Sequence, residues 1–384
     1  MNFEFATAGR IMFGAGRLRE AGAAARTLGR HAFLVTGRDA GRAAPLRSHL
    51  AASGVAVTGF AVAGEPAIGA IAAAVALARG AGCDCAIGCG GGSALDAAKA
   101  VAALAPNPGE ISDYLEVVGR GHPLARPSLP CVAIPTTAGT GSEVTRNAVL
   151  SSPEHRTKVS LRGPFLLPRI ALVDPELTYD LPPGLTASTG LDALAQLIEP
   201  YVCLRANPLT DSFCREGLAR VAGALRQACG PGRDARARAD MAVASLLGGL
   251  ALANAGLGAV HGFASPVGGR FGAPHGAVCA ALLAPAMEVN LRALRRRGAA
   301  GEAERRYAEI ARLLTGRPAA TADDGVAWVR ELVRDLGLPG LRAYGVVPED
   351  AGILAGQAAI TSSMQANPVP LTAEERAELL VLAL

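Results

Sequence analysis

The chain has 384 residues, a formal net charge of +4 and a composition half hydrophobic but only 4% aromatic. That length suits two domains or one large one. The mild charge forms no basic run interleaved with aromatics, which argues against nucleic acid as a partner, while a slightly basic surface tolerates an anionic cofactor. The eight cysteines form no disulfide framework. Cys83, Cys85 and Cys89 in "CDCAIGC" lack the C-x2-C spacing of metal knuckles and read as core thiols of a buried strand, suited to a reducing cytoplasm.

The opening stretch "MNFEFATAGRIMFGAGRLREAG" has no charged segment leading into an apolar one, so no signal peptide is expected. Short strand-like runs at 31–37, 55–60, 83–90, 131–137 and 169–177 then alternate with Ala-rich helical stretches at 42–53 and 67–82. Alternating β and α predicts a parallel, Rossmann-like sheet covered on both faces. Past "LPPGLTASTG" (181–190) the pattern turns to helices, at 187–204, 208–229, 233–255, 277–297, 301–314, 322–336 and 372–382. The Pro-Pro-Gly stretch at 182–184 marks the boundary. An α/β domain over 1–180 and an all-helical domain over 185–384 follow, with a small-molecule site expected in a cleft between them. Met241 to Val260 is uncharged and long enough for a membrane span. Its Gly, Ala and Asn content favours a buried helix instead.

Two loops carry phosphate chemistry. "GCGGGSALDAAKAVA" (88–102) follows a strand and opens a helix. Gly90, Gly91 and Gly92 let the backbone turn sharply and approach a ligand, and Ser93 is placed at or near the N-cap, where free N–H groups and the helix dipole favour phosphate. Alone, this stretch also fits a structural glycine turn. "PTTAGTGSEVT" (135–145) follows another strand and offers the hydroxyls of Thr136, Thr137, Thr140 and Ser142. Parallel sheets bind ligands at such strand ends.

A third constellation suggests a metal. In "LDALAQLIEP" (191–200) Asp192 and Gln196 are four apart and share a helix face. His261 and His275 lie fourteen apart in "AVHGFASPVGGRFGAPHG". A buried carboxylate with two imidazoles suits iron or zinc better than a hydrogen-bonded core.

In these residues the chain resembles the iron-containing (group III) alcohol dehydrogenases of the dehydroquinate synthase-like fold. "GGGSALDAAK", "PTTAGTGSEVT", "DPEL", "LDAL" and "H…PHG" stand in that family's order and spacing, from "GRIMFGAGRL" to "NPVPLT". The resemblance implies a nicotinamide dinucleotide, NAD or NADP, on Gly91, Gly92, Ser93 and Asp96, held also by Thr136, Thr137, Thr140 and Ser142, with Lys158 nearby. It makes the first domain dinucleotide-binding and the second the metal and substrate domain. It also implies a divalent metal, Fe2+ or Zn2+, held by one Asp and three His. Asp192, His261 and His275 match three of these ligands; Gln196 stands where the family usually has His.

Three departures follow. Gln196 can ligate weakly through its carbonyl oxygen, can orient a water or the substrate, or can mark a site that dispenses with metal, as in the maleylacetate reductase branch. Three good ligands suffice for a catalytic ion, so a metal is expected. Ser265 stands where many relatives place a further His, which disturbs the usual proton path. After "AFLVT", Gly37 replaces the Asp of NAD-preferring relatives, and Arg38 and Arg42 follow. They admit a 2'-phosphate if they are not simply solvated.

The resemblance thus implies an NAD(P)-dependent alcohol dehydrogenase or aldehyde reductase, acting on a small alcohol, aldehyde or oxo acid, with Asp192, His261 and His275 at the catalytic centre. The alternative is a metal-independent maleylacetate-type reductase of the same fold. A dehydroquinate synthase-type lyase lacks its motifs here, and a non-enzymatic binding protein would need neither both loops nor the His pair. A cytoplasmic homo-oligomer, dimer or larger, with no nucleic-acid or membrane partner, completes the expectation.

Overall fold

The computed structural model describes residues 2–231, 233–299 and 301–384. The chain divides into two compact units. One comprises Ala6–Thr137 and Gly141–Asp180; the other comprises Leu181–Leu384 with Ala138–Thr140 and the described residues up to Phe5.

In the first unit β1 (Arg10–Phe13), α1 (Ala21–Arg26), β2 (His31–Thr36), α2 (Ala44–Ala52), β3 (Ala56–Ala61), α3 (Ile68–Gly80), β4 (Cys85–Gly90), α4 (Gly92–Leu104), β5 (Cys131–Pro135), a hairpin of β6 (Asn147–Ser152) and β7 (Thr157–Arg162), and β8 (Ile170–Val173) follow one another. Six strands form a sheet in the order β1-β8-β5-β4-β2-β3, parallel throughout. Alternate side chains of β2 serve opposite faces: Phe33 and Val35 pack with α3 and α4, Ala32 and Leu34 with α1 and α2. Every residue of β4 is buried, as a central strand covered on both faces requires. The chain runs outward from β2 to β3 and returns to β4 on the other flank of β2. The strand order therefore reverses between β2 and β4, which opens a crevice at their carboxyl ends.

Several expected limits move, for local reasons. The strand expected from 83 starts at Cys85, because the Asp84 carboxylate is turned to accept the backbone N–H groups of Arg30 and His31. The strand expected over 169–177 stops at Val173, where Asp174 caps a 3-10 turn over Pro175–Thr178 and also accepts the N–H groups of Gly16 and Leu18. β1 and the hairpin were not among the expected strands. The hairpin's signal was present: Ala148 and Leu150 face Leu161 and Val159 in alternation.

The second unit is helical: α5 (Pro183–Val202), α6 (Pro208–Cys229), α7 (Ala235–Asn254), α8 (Ala259–Phe271), α9 (His275–Arg296), α10 (Gly301–Thr315), α11 (Ala322–Asp335), α12 (Ala351–Ala359), α13 (Ser362–Gln365) and α14 (Ala373–Leu382). The single buried helix expected from Met241 to Val260 is two helices meeting at a 97° bend. Gly256 makes the break, with φ of 152°, where an L side chain is strained. Of the described helices, α9 has the length and apolarity for a membrane span, but 89% of its apolar window is buried inside the fold, as a core helix. Leu191, Leu194, Leu197, Ile198 and Tyr201 of α5 lie in the same core, each apolar side chain contributing roughly 1.5–3 kcal/mol on burial. Asp192 and Gln196 interrupt that face and are equally buried.

Candidate active site

In the α/β unit the glycine loop sits at the strand-order reversal. Gly90 closes β4 opposite Pro135 of β5, and its carbonyl accepts the Thr136 N–H at 2.9 Å. A Cβ on Gly90 would lie 2.7 Å from Ala94 Cβ and 3.3 Å from the Gly37 nitrogen, so only glycine lets the loops after β2 and β4 approach this closely. Gly91 faces Thr137, the nearest atom of which is 3.5 Å from a Cβ placed there. The loops after β2, β4 and β5 thus bring Gly37, Gly90, Gly91, Gly92, Ser93, Thr136 and Thr137 to one sheet edge.

Ser93 lies near the N-cap, as expected, without being it. The N-cap is Gly91, with no side chain to offer, and Ser93 is the second residue of α4. First-turn N–H groups without a side-chain cap are the arrangement that takes up a phosphate. The glycine cradle and the uncapped helix therefore fit a dinucleotide.

The other residues named for the cofactor are tied into the unit itself. Asp96 accepts from Ser142 Oγ at 2.5 Å and from the Val149 N–H at 3.0 Å, and pairs with Lys99 at 3.1 Å. It anchors the second loop and the hairpin to α4. Lys158, on β7, is buried and paired with Glu65. Thr140 belongs to the short piece grouped with the helical unit. Exposed Arg38 donates to the Ala63 carbonyl at 2.9 Å. The Asp39 carboxylate is turned onto the Gly41 N–H at 3.0 Å. Arg42 is close enough to Cys89 to oppose the rise in its thiol pKa, though burial prevails and pushes it up to about 12.

In the helical unit α5, α8 and α9 converge. Asp192 Oδ1 lies 3.3 Å from His261 Nε2 and 3.4 Å from His275 Nε2. Gln196, one turn along α5, donates its Nε2 to the same oxygen at 3.0 Å, while its Oε1 is buried without a partner. The two imidazole rings are 5.3 Å apart.

The helix ends explain how these side chains are aimed. The N-cap of α8 is Gly258, which offers no side chain, so the caps come from elsewhere: Glu199 Oε1 takes the Val260 N–H at 2.7 Å and Asn367 Oδ1 the Ala259 N–H at 3.1 Å. Glu199 Oε2 also meets His261 Nδ1 at 2.6 Å, which leaves Nε2 facing Asp192. His275 is the first residue of α9, after Pro274. Gly276 lets α9 start against α5, since a Cβ there would sit 2.5 Å from the Ser188 carbonyl oxygen. Ser265 is one turn beyond His261 on α8.

Sequence reasoning missed two members. Glu199 lies seven residues after Asp192 on the same helix, and Cys279 lies four after His275 on α9. Cys279 Sγ is 3.7 Å from His275 Nε2 and 3.9 Å from His261 Nε2. Asp192, His261, His275 and Cys279 place one donor atom each within 4.8 Å of all the others. The helical spacings i+7 and i+4 were legible signals, but Cys279 sits in the apolar run "GAVCAALL" and reads as core.

The carboxylates and the sulfur draw positive charge to this site. Burial works against charge on His275, but the Cys279 sulfur and Asp192 raise it to about 10, and the same groups with Glu199 hold His261 well above its ordinary value. Burial would raise Asp192, yet His275 and His261 keep it far below the usual carboxylate range. A carboxylate, two imidazoles and a thiol, converging among buried apolar helices, fit a divalent metal.

Comparisons with known proteins agree with this geometry. The family described as "Iron-containing alcohol dehydrogenase" matches residues 8–175, and "Fe-containing alcohol dehydrogenase family, C-terminal" matches residues 186–384. The chain is 39% identical to the probable alcohol dehydrogenase EutG of Salmonella typhimurium over 332 residues, covering 86% of this chain and 80% of EutG. The structure of a 1,3-propanediol oxidoreductase superposes with a TM-score of 0.92 at 32% identity, covering all of both chains. A sulfoacetaldehyde reductase from Bifidobacterium kashiwanohense, solved in complex with NAD+, superposes at 0.87 with 29% identity, covering 100% of this chain and 99% of that one. The chain belongs to the iron-containing alcohol dehydrogenase family, with its dehydroquinate synthase-like fold. It is an oxidoreductase acting on CH–OH groups, and its family implies NAD(P) and a divalent metal.

Proposed function

We propose that this chain is an NAD(P)-dependent alcohol dehydrogenase or aldehyde reductase, with a divalent metal held by Asp192, His261 and His275. The observation that carries the reading is the convergence of both Nε2 atoms on Asp192 Oδ1, at 3.3 and 3.4 Å. When bound, the metal supplies a Lewis acid for the carbonyl oxygen and the nicotinamide supplies the hydride. The chain's own residues do the rest. Glu199 fixes the tautomer and direction of His261. Gly90 lets the loops after β2 and β4 close on one another, and the α4 N-terminus receives the pyrophosphate of the dinucleotide. Gln196 steadies Asp192 by donating to it. Ser265 brings a hydroxyl where many relatives carry an imidazole, and a hydroxyl cannot store a proton at neutral pH.

On cofactor choice the reading favours NADP. Gly37 presents no carboxylate, Asp39 is occupied on Gly41, and Arg38 and Arg42 stand beside the loop. The eight free thiols support a reducing, cytoplasmic setting. A homo-oligomer, dimer or larger, rests on the family resemblance. The test is NADPH and NADH consumption with short aldehydes and oxo acids, in wild type and in His261→Ala and His275→Ala. Turnover in the wild type and its loss in both variants supports the reading; undiminished turnover in both variants overturns it.

A further inference from the structure

Four of the six donor-to-donor separations in the metal cluster match those of a tetrahedron, and all four donors lie within 4.8 Å of one another. For zinc bonds of about 2.0–2.1 Å to nitrogen or oxygen and about 2.3 Å to sulfur, tetrahedral geometry puts N and O about 3.4 Å apart, and N and S about 3.6 Å apart. The observed N···O separations are 3.3 and 3.4 Å. The N···S separations are 3.7 and 3.9 Å. The sulfur is buried and sits one turn along α9 from His275, on the same helix face. Gln196, at the position where a fourth imidazole is expected, instead spends its amide N–H on Asp192 Oδ1.

Resting on the metal-dependent reading above, we propose that Cys279 is the fourth protein ligand of the metal, replacing a ligand at 196. Gln196 then becomes the group that holds the liganding carboxylate in place. Thiolate is a soft donor that suits zinc, and zinc's capacity to expand to five-coordination leaves room for a substrate oxygen.

The test uses the full-length protein loaded with Zn2+ and, separately, with Co2+. X-ray absorption at the zinc edge is expected to show one sulfur at about 2.3 Å, and the cobalt form a sulfur-to-metal charge-transfer band. Cys279→Ser should lose the sulfur signal and the band. Cys279→Ala should weaken zinc affinity by at least the ~10–100-fold typical of removing a group that merely supports a ligand. Adding Gln196→His to Cys279→Ala should restore it, with circular dichroism confirming that each variant folds. The wild-type spectra need no variant. A wild type that binds one metal through nitrogen and oxygen alone overturns the Cys279 assignment and leaves the metal reading standing. A wild type that binds neither ion at any supplied concentration overturns both.

Discussion

Glu199 serves two helices with one carboxylate. Its Oε1 caps α8 and its Oε2 holds His261. Glu199→Gln keeps the shape but weakens the hold on His261 Nδ1, so metal affinity should fall about 10–100-fold, read by competition with a chelator, while helix content is unchanged. Glu199→Ala also strands the buried Val260 N–H, which should cost about 1–3 kcal/mol of stability in chemical denaturation. At the opposite unit, Arg38→Ala should weaken NADPH binding about ten- to a hundred-fold more than NADH binding, the loss of a charge-assisted bond of about 1.5–3 kcal/mol; equal losses in a fluorescence titration would make Arg38 ordinary surface charge. At this scale the sequence showed Asp192, His261 and His275 because polar residues stand out in apolar helices. Cys279 and Glu199 did not stand out, the first because cysteine passes for core and the second because its two partners lie more than sixty residues away on α8.

The elements that carry these residues depend on a few close contacts. Gly276→Ala would drive a methyl into the Ser188 carbonyl, so α9 should shift and zinc affinity and thermal stability should fall together, as overpacking typically costs about 1–3 kcal/mol. In the α/β unit, Glu143 is buried beside the loop that Asp96 anchors, and burial raises its carboxyl from 4.5 to about 7, against the pull of Lys99. The fold therefore keeps a proton that the unfolded chain has already released. This contribution to stability is complete below about pH 4.5 and is lost as pH rises through about 7, on the order of 3 kcal/mol in all. Glu143→Gln should flatten the pH dependence of the melting temperature between pH 5 and 8 and raise stability at pH 8; an unchanged slope would contradict it. Element boundaries were legible where caps are local. They failed where a distant group intervened, as at Asp84 and Asp174, and where one glycine, Gly256, split an unbroken apolar run.

Across the whole molecule the two units should respond to different ligands. A metal joining α5, α8 and α9 stabilises only a state in which they are folded together, by about 2.7 kcal/mol at a hundredfold excess over Kd. Hydrogen exchange should show zinc protecting 183–202, 259–271 and 275–296, and NADPH protecting the loops after β2, β4 and β5. The halves themselves were legible because β/α alternation and helical periodicity are local patterns, whereas β1 has only four residues and the β6–β7 hairpin forms its own two-stranded antiparallel sheet outside the β/α alternation. Asp192, His261 and His275 are proposed to hold a metal that the reduction needs. The most direct measurement is the rate of NAD(P)H-dependent aldehyde reduction before chelation, after complete removal of metal, and after Zn2+ or Fe2+ is returned. Turnover should be lost on removal, with dinucleotide binding intact, and should recover on return. Full turnover by protein shown to be metal-free would contradict the proposal.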